Sequence, residues 1–138
     1  HEVKLENYSK IIHIEALTML DMARKDILPA MSAYSADLAA AVKEKSAISA
    51  DLDCSYETDT LRSICALLGE AHRAVKKLEE DLTDARSISG NEALAEFYKS
   101  TILADMRSLR IAADEMESIA SAKRWPYPSY GEILFSVK

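Results

Sequence analysis

Three histidines, two cysteines and 23 carboxylates are the groups in this 138-residue chain able to hold a metal or move a proton. Their spacing supports little such chemistry. His13 has Ser9 and Leu17 four residues to either side, and His72 has Leu68 and Lys76. Neither gives the Glu-x-x-His spacing of metal sites in helical bundles, nor a pair of histidines one helical turn apart. Both read as surface or half-buried imidazoles. Glu79, Glu80, Asp81 and Asp84 follow Lys76 and Lys77, which at helical spacing pairs Lys77 with Asp81 and describes a solvated face. Asp21, Arg24, Lys25 and Asp26 crowd just before Pro29, where solvated charge is the simpler reading and recognition the sharper one. Cys54 and Cys65 lack Cys-x-x-Cys spacing, and Cys65, beside an apolar stripe with no motif histidine near it, reads as a buried structural thiol. With only 3 glycines there is no phosphate-cradling loop. No catalytic, cofactor-binding or metal residue is assigned.

The unusual segment is the tail, Trp125-Pro126-Tyr127-Pro128-Ser129-Tyr130-Gly131-Glu132-Ile133-Leu134-Phe135. It holds four of the chain's nine aromatic residues. Prolines 126 and 128 favour extended backbone, and Ser129 with Glu132 has the spacing of a capping box that starts a short helical turn. Such a tail docks its rings somewhere, on its own helices or on a neighbouring domain or subunit.

The elements that position these groups are helices. Tight turns need Gly, Pro, Asn and Asp, and a chain with 3 Gly and 3 Pro among 138 residues cannot supply those of a sandwich or barrel. Leu5, Tyr8, Ile12, Ala16, Met19, Ala23, Ile27, Ala30, Tyr34, Leu38 and Ala41 form one helical stripe. Pro29 sits inside it, has no N–H for the carbonyl of Lys25 and crowds that turn, which predicts a kink. A second stripe, Leu61, Ile64, Leu68, Ala71, Val75, Leu78, Leu82 and Ala85, steps three-four without a miss, with Gly69 inside it as the mark of a close helix approach. Ser55 or Asp53 is placed to cap it. After Gly90 and a Ser89–Glu92 capping-box spacing, the third stripe is Leu94, Tyr98, Ile102, Met106, Leu109, Ala113, Met116 and Ala120.

The reading is a single all-α domain over 1–138: an antiparallel three-helix bundle with a long, Pro-kinked first helix. Helices are placed at about 4–45, 56–86 and 91–124, and an aromatic, Pro-rich tail at 125–138. A first helix of roughly 63 Å outruns partners of roughly 45 Å, so its first turns are expected to project beyond them. Ile11, Ile14, Leu17 and Met22 make that half apolar on more than one face, and such a helix is normally covered on more than one face. Ile11, Ile14, Leu17 and Met22, with Trp125, Tyr127, Tyr130 and Phe135 of the tail, are therefore the candidate contacts to another domain or subunit. Self-association is expected through the start of the first helix.

Composition narrows the class. A chain 49% hydrophobic is too apolar for disorder, and no apolar run reaches the length of a membrane span. A net charge of −6 and a pI near 5.1 disfavour nucleic acid, whose binding needs a basic surface. Two unpaired-looking cysteines without a secretory signal fit a cytoplasmic protein. A first residue of His rather than Met suggests a cut fragment or tag remnant.

Some segments are recognisable. Leu5-Glu6-Asn7-Tyr8, Ile14 through Met19 and Asp21 through Ala30 resemble the C-terminal helical region of type III glutamine synthetases. The ending Trp125 through Phe135 is similar to that family's terminal W-P-x-P-(S/T)-Y-x-x-(L/I)-L-F pattern, and Ala112-Ala113-Asp114-Glu115-Met116-Glu117 resembles its A-D-E-(L/M)-E stretch. Related chains often carry proline where this one has Ala104, which implies a straighter third helix here. The resemblance implies a cytoplasmic parent enzyme, assembled as a large ring, that joins ammonia to glutamate with ATP and Mg²⁺ or Mn²⁺. Its reacting sites would lie in an upstream catalytic region, so the fragment would carry no cofactor. Its role would be structural, against that upstream domain and neighbouring subunits. Two alternatives stand beside this: a stand-alone helical interaction or sensory bundle, and, more remotely, a metal-carboxylate bundle enzyme.

Overall fold

The structure, a computed structural model, describes residues 1–128. The described residues are helical and contain no strand. The first helical stretch joins α1 (Glu2–Met22), a π-helical turn at Ala23–Ile27 and α2 (Leu28–Ile48). The second is α3 (Ser55–Ala85). The third joins α4 (Asn91–Phe97), a second π-helical turn at Tyr98–Ile102 and α5 (Leu103–Ile119).

The helix passes through Pro29 without a break. A proline removes one backbone donor and its ring crowds the carbonyl one turn back. The chain answers with a wider turn: the Leu28 N–H reaches back five residues to the Ala23 carbonyl. A second such turn was not legible in the sequence. There the Leu103 N–H bonds to the Tyr98 carbonyl, ahead of Ala104, so the third stretch is not the regular helix that a missing proline suggests.

Direction follows from side-chain pairs. Lys45–Glu57 and Arg24–Glu79 link the first stretch to α3 in opposite order, and Lys77–Asp105 joins α3 to α5. Glu2–Asn91, His13–Tyr98 and Asp37–Arg124 link the first and third stretches in the same order. The broadest contacts are α3 with α5 and α3 with α2, while α1 rests chiefly on α4. The first turns of α1 therefore do not project free, because α4 extends alongside them. Asn91 Nδ2 donates to Glu2 Oε2 at 2.9 Å even at the first turn.

The core runs through all three stretches and includes Ala16, Leu20, Met31, Ile64, Leu78, Ile102 and Met116. In α3 the inner face is carried by Leu67, with Leu68 only half-buried. Gly69 marks no close helix approach, since a side chain there would meet only the guanidinium end of Arg73. Asp53 Oδ1 accepts the Ser55 N–H at 2.9 Å, so the aspartate, not the serine, serves the start of α3. Gly90 is the N-cap of α4 with φ of 91°, and no side chain caps that helix. α5 ends at Ile119, short of residue 124, because Ala120 turns extended with ψ of 151°.

Candidate docking surface

On α1, Ile12, Ala16 and Leu20 point inward and are buried. The outward face is also apolar. Ile11 is 56% exposed, Ile14 63%, Leu17 45% and Met22 40%. A helix with apolar residues on both faces meets only part of its demand for cover from this chain.

A cavity of about 690 Å³ opens beside that face, between the first and third stretches. Met19, Leu28, Met106, Leu109 and Met116 form its apolar wall, and Glu15, Arg110, Asp114 and Glu117 supply polar groups. Ile14 and Met22 line it from α1, and Trp125 and Tyr127 line it from the segment after α5. Four of the eight sequence-assigned contact residues are thus brought to one groove. Ile11 and Leu17 lie outside its lining, and Tyr130 and Phe135 lie outside the described residues.

Trp125 and Tyr127 reach the groove because the segment after α5 is strapped across the first stretch. Arg124 Nε donates to Asp37 Oδ2 at 2.6 Å and its Nη2 to Asp37 Oδ1 at 2.8 Å, a forked pair that fixes direction as well as position. The Tyr127 hydroxyl donates to Asp26 Oδ2 at 2.8 Å. Burial, with the Asp26 carboxylate beside it, pushes the Tyr127 hydroxyl up to about 12. The two rings stand edge to face, 6.4 Å apart, half-buried against the chain's own helices.

The charges before Pro29 serve the same framework. Arg24 bonds Glu79 of α3 at 3.0 Å and Asp21 at 3.3 Å, Lys25 pairs with Asp21 at 3.5 Å, and Asp26 receives Tyr127. The structure spends them inside the chain.

Three features depart from the sequence reading. Cys65 is exposed rather than buried, and Cys54 is half-buried; both thiols are free. Asp81 is no solvated residue: it faces α5, where it meets Asp105, a carboxyl only 6% exposed. Lys77 Nζ lies 2.9 Å from Asp81 Oδ2 and 3.9 Å from Asp105 Oδ1. Burial, and then the hydrogen bond and charge of Asp81, push Asp105 up to about 7. The hydrogen bond from Asp105, with Lys77 adding to it, holds Asp81 below its ordinary value. Asp105 was the missed residue. Its position three residues after Ile102, inside the third apolar stripe, was the available signal. His13 is half-buried, in keeping with the sequence reading, and contacts the Tyr98 hydroxyl through Nδ1 at 3.0 Å, tying α1 to the second π-turn.

The family model described as glutamine synthetase C-terminal domain matches residues 1–46. Over that third of its length the chain is similar to the glutamine synthetase C-terminal domain. It is 41% identical over its whole length to a glutamine synthetase of Butyrivibrio fibrisolvens, of which it spans 20%. It is 28% identical over 97% of its length to a type-3 glutamine synthetase of Dictyostelium discoideum, and 25% identical over 98% to a glutamine synthetase of Bacteroides fragilis strain YCH46, covering 19% of each. The chain thus spans about a fifth of the length of the curated relatives it matches. The Dictyostelium relative supports the type III assignment. The matched residues 1–46 are those that carry the outward apolar face.

Among the described residues no three of His, Cys, Asp and Glu are grouped to hold a metal ion. The Asp81 and Asp105 carboxyls share Lys77, which lies 2.9 Å from the first and 3.9 Å from the second. Among the described residues no helix is long and apolar enough to cross a membrane.

Proposed function

We propose that this chain is the C-terminal structural domain of a cytoplasmic type III glutamine synthetase. It is an antiparallel three-helix bundle, bent at Pro29, that serves assembly and domain contact rather than reaction. The parent ligates ammonia to glutamate with ATP and Mg²⁺ or Mn²⁺, using residues outside this chain. The supporting observation is the outward face of α1. Ile11, Ile14, Leu17 and Met22 are exposed on a helix whose other face is buried in the core. That face lies within the stretch that the family model matches, in a chain that spans a fifth of its relatives.

Its occupant is the catalytic part of the same polypeptide, with neighbouring subunits against the rim formed by Trp125 and Tyr127. Apolar burial of this kind stabilises by about 25 cal/mol per Å² covered. The test is made in the full-length protein, with Ile14→Glu and Leu17→Glu together. The expected result is loss of the large assembly in light scattering and a fall in ATP-dependent glutamine formation, with the far-ultraviolet helical signal retained. An unchanged assembly with unchanged activity would sink the proposal. The isolated chain is expected to self-associate as its concentration rises and to form no glutamine from glutamate, ammonia and ATP.

A further inference from the structure

Asp105 sits in the α3–α5 seam, the broadest helix contact in the chain, flanked by Ile102, Met106 and Leu109 of the core. Its Oδ2 is enclosed and has no donor within reach. An ionised carboxylate left in that state carries the full cost of its lost hydration. The charged groups that act on it are Asp81 and Lys77, both from α3; Glu80 acts in turn on Lys77. Lys77 is largely exposed and closer to Asp81, so it neutralises one of the two carboxylates and not both. The second negative charge has no counterion of its own. One proton removes the conflict: Asp105 then donates to Asp81, which stays ionised against Lys77.

We propose that the α3–α5 seam is latched by a single proton shared between Asp81 and Asp105, and that losing this proton in mildly alkaline solution loosens the seam. The sign follows from linkage. A carboxyl that binds its proton more tightly folded than unfolded adds stability at low pH, and loses it as pH rises from the ordinary carboxylate range through about 7. Asp81, held low, adds stability that is lost only on strong acidification. Together they place greatest stability in mildly acid solution. The device is independent of what covers α1.

The test compares the thermal midpoint of the chain at about pH 5.5 and about pH 8.5 with that of Asp105→Asn, which keeps a neutral hydrogen-bonding side chain and cannot ionise. The native chain is expected to lose about 5 °C more than the variant across that interval. All other titrating groups are common to both proteins, so the difference belongs to Asp105. Equal pH slopes would overturn the proposal. If Asp105→Asn does not fold, the carboxyl carbon resonance of Asp105 in the native chain decides. It is expected to titrate near neutrality, and titration in the ordinary carboxylate range would overturn the proposal.

Discussion

Ala23–Ile27 and Tyr98–Ile102 are both five-residue π-helical turns, and each closes on a buried isoleucine. Each opens on a buried residue as well, Ala23 in one and Tyr98 in the other. Two residues beyond the first stands Pro29; two residues beyond the second stands Ala104. The first has a covalent cause, since Pro29 has no N–H to give and its ring crowds the preceding turn. The second has none in its own chemistry. Packing holds it: Tyr98 is fixed by His13 of α1, Ile102 is wholly enclosed, and the neighbours Asp105 and Met106 are both turned inward just after it. A π-turn can therefore be imposed by a residue that forbids the α-helix or by a face that needs a wider helix.

α3 shows what happens without either cause. It runs 31 residues as regular helix. Six inward steps cover the 21 residues from Ile64 to Ala85, whereas the first stretch takes seven steps for the 26 from Ile12 to Leu38. The shorter step of α3 suits a heptad-like seam, and the longer step of the first stretch is the extra length its π-turn absorbs. The largest expected effect follows. Ala74→Pro in α3, with no wide turn to receive the ring, should cost at least about 3 kcal/mol and leave little folded protein in a denaturation curve. A small loss there would show that any helix of this chain accepts proline and would remove the contrast.

The two isoleucines test the causes separately. Ile27→Ala and Ile102→Ala should each cost about 2–4 kcal/mol, with Ile102, the better enclosed, at the upper end. Their local consequences should differ. If packing alone holds the second turn, Ile102→Ala should strip hydrogen-exchange protection from the Leu103 amide. In Ile27→Ala the Leu28 amide should keep its protection, because Pro29 still enforces the wide turn. Equal loss at both amides would break the distinction.

The same contrast marks what the sequence made legible. Pro29 announced its own disturbance, and the three stripes located the helices because burial repeats with the helical period. The exposed apolar face at Ile11, Ile14, Leu17 and Met22 was legible because it exceeded what one buried stripe needs. What was not legible depends on three-dimensional register. Leu67 instead of Leu68 carries the inner face of α3, and Cys65 rotates outward, because a stripe read to the nearest residue leaves a large angular freedom. The reach of α4 along α1 depends on how the third stretch is offset against the first, which helix lengths alone do not fix. Asp105 and its partner Asp81 lie on different helices, and the groove is walled by all three stretches with Trp125 and Tyr127, so neither exists as a pattern along the chain.

The smallest expected effect is the most discriminating. Ala104 holds the same place after its turn that Pro29 holds after the first. If the two turns are one geometry, the backbone at 104 already has the wide turn that a proline ring requires. Ala104→Pro should then change the denaturation free energy by less than about 1 kcal/mol. That is well under the cost in a regular helix, since entropy lost by the unfolded chain offsets part of any strain. Pro29→Ala should be similarly mild, and with the covalent cause removed it should release the bond from the Leu28 amide to the Ala23 carbonyl. A loss near that of Ala74→Pro would mean that the turn at Tyr98–Ile102 only resembles the turn before Pro29. The two stretches would then have reached the same hydrogen-bond pattern through unlike backbones.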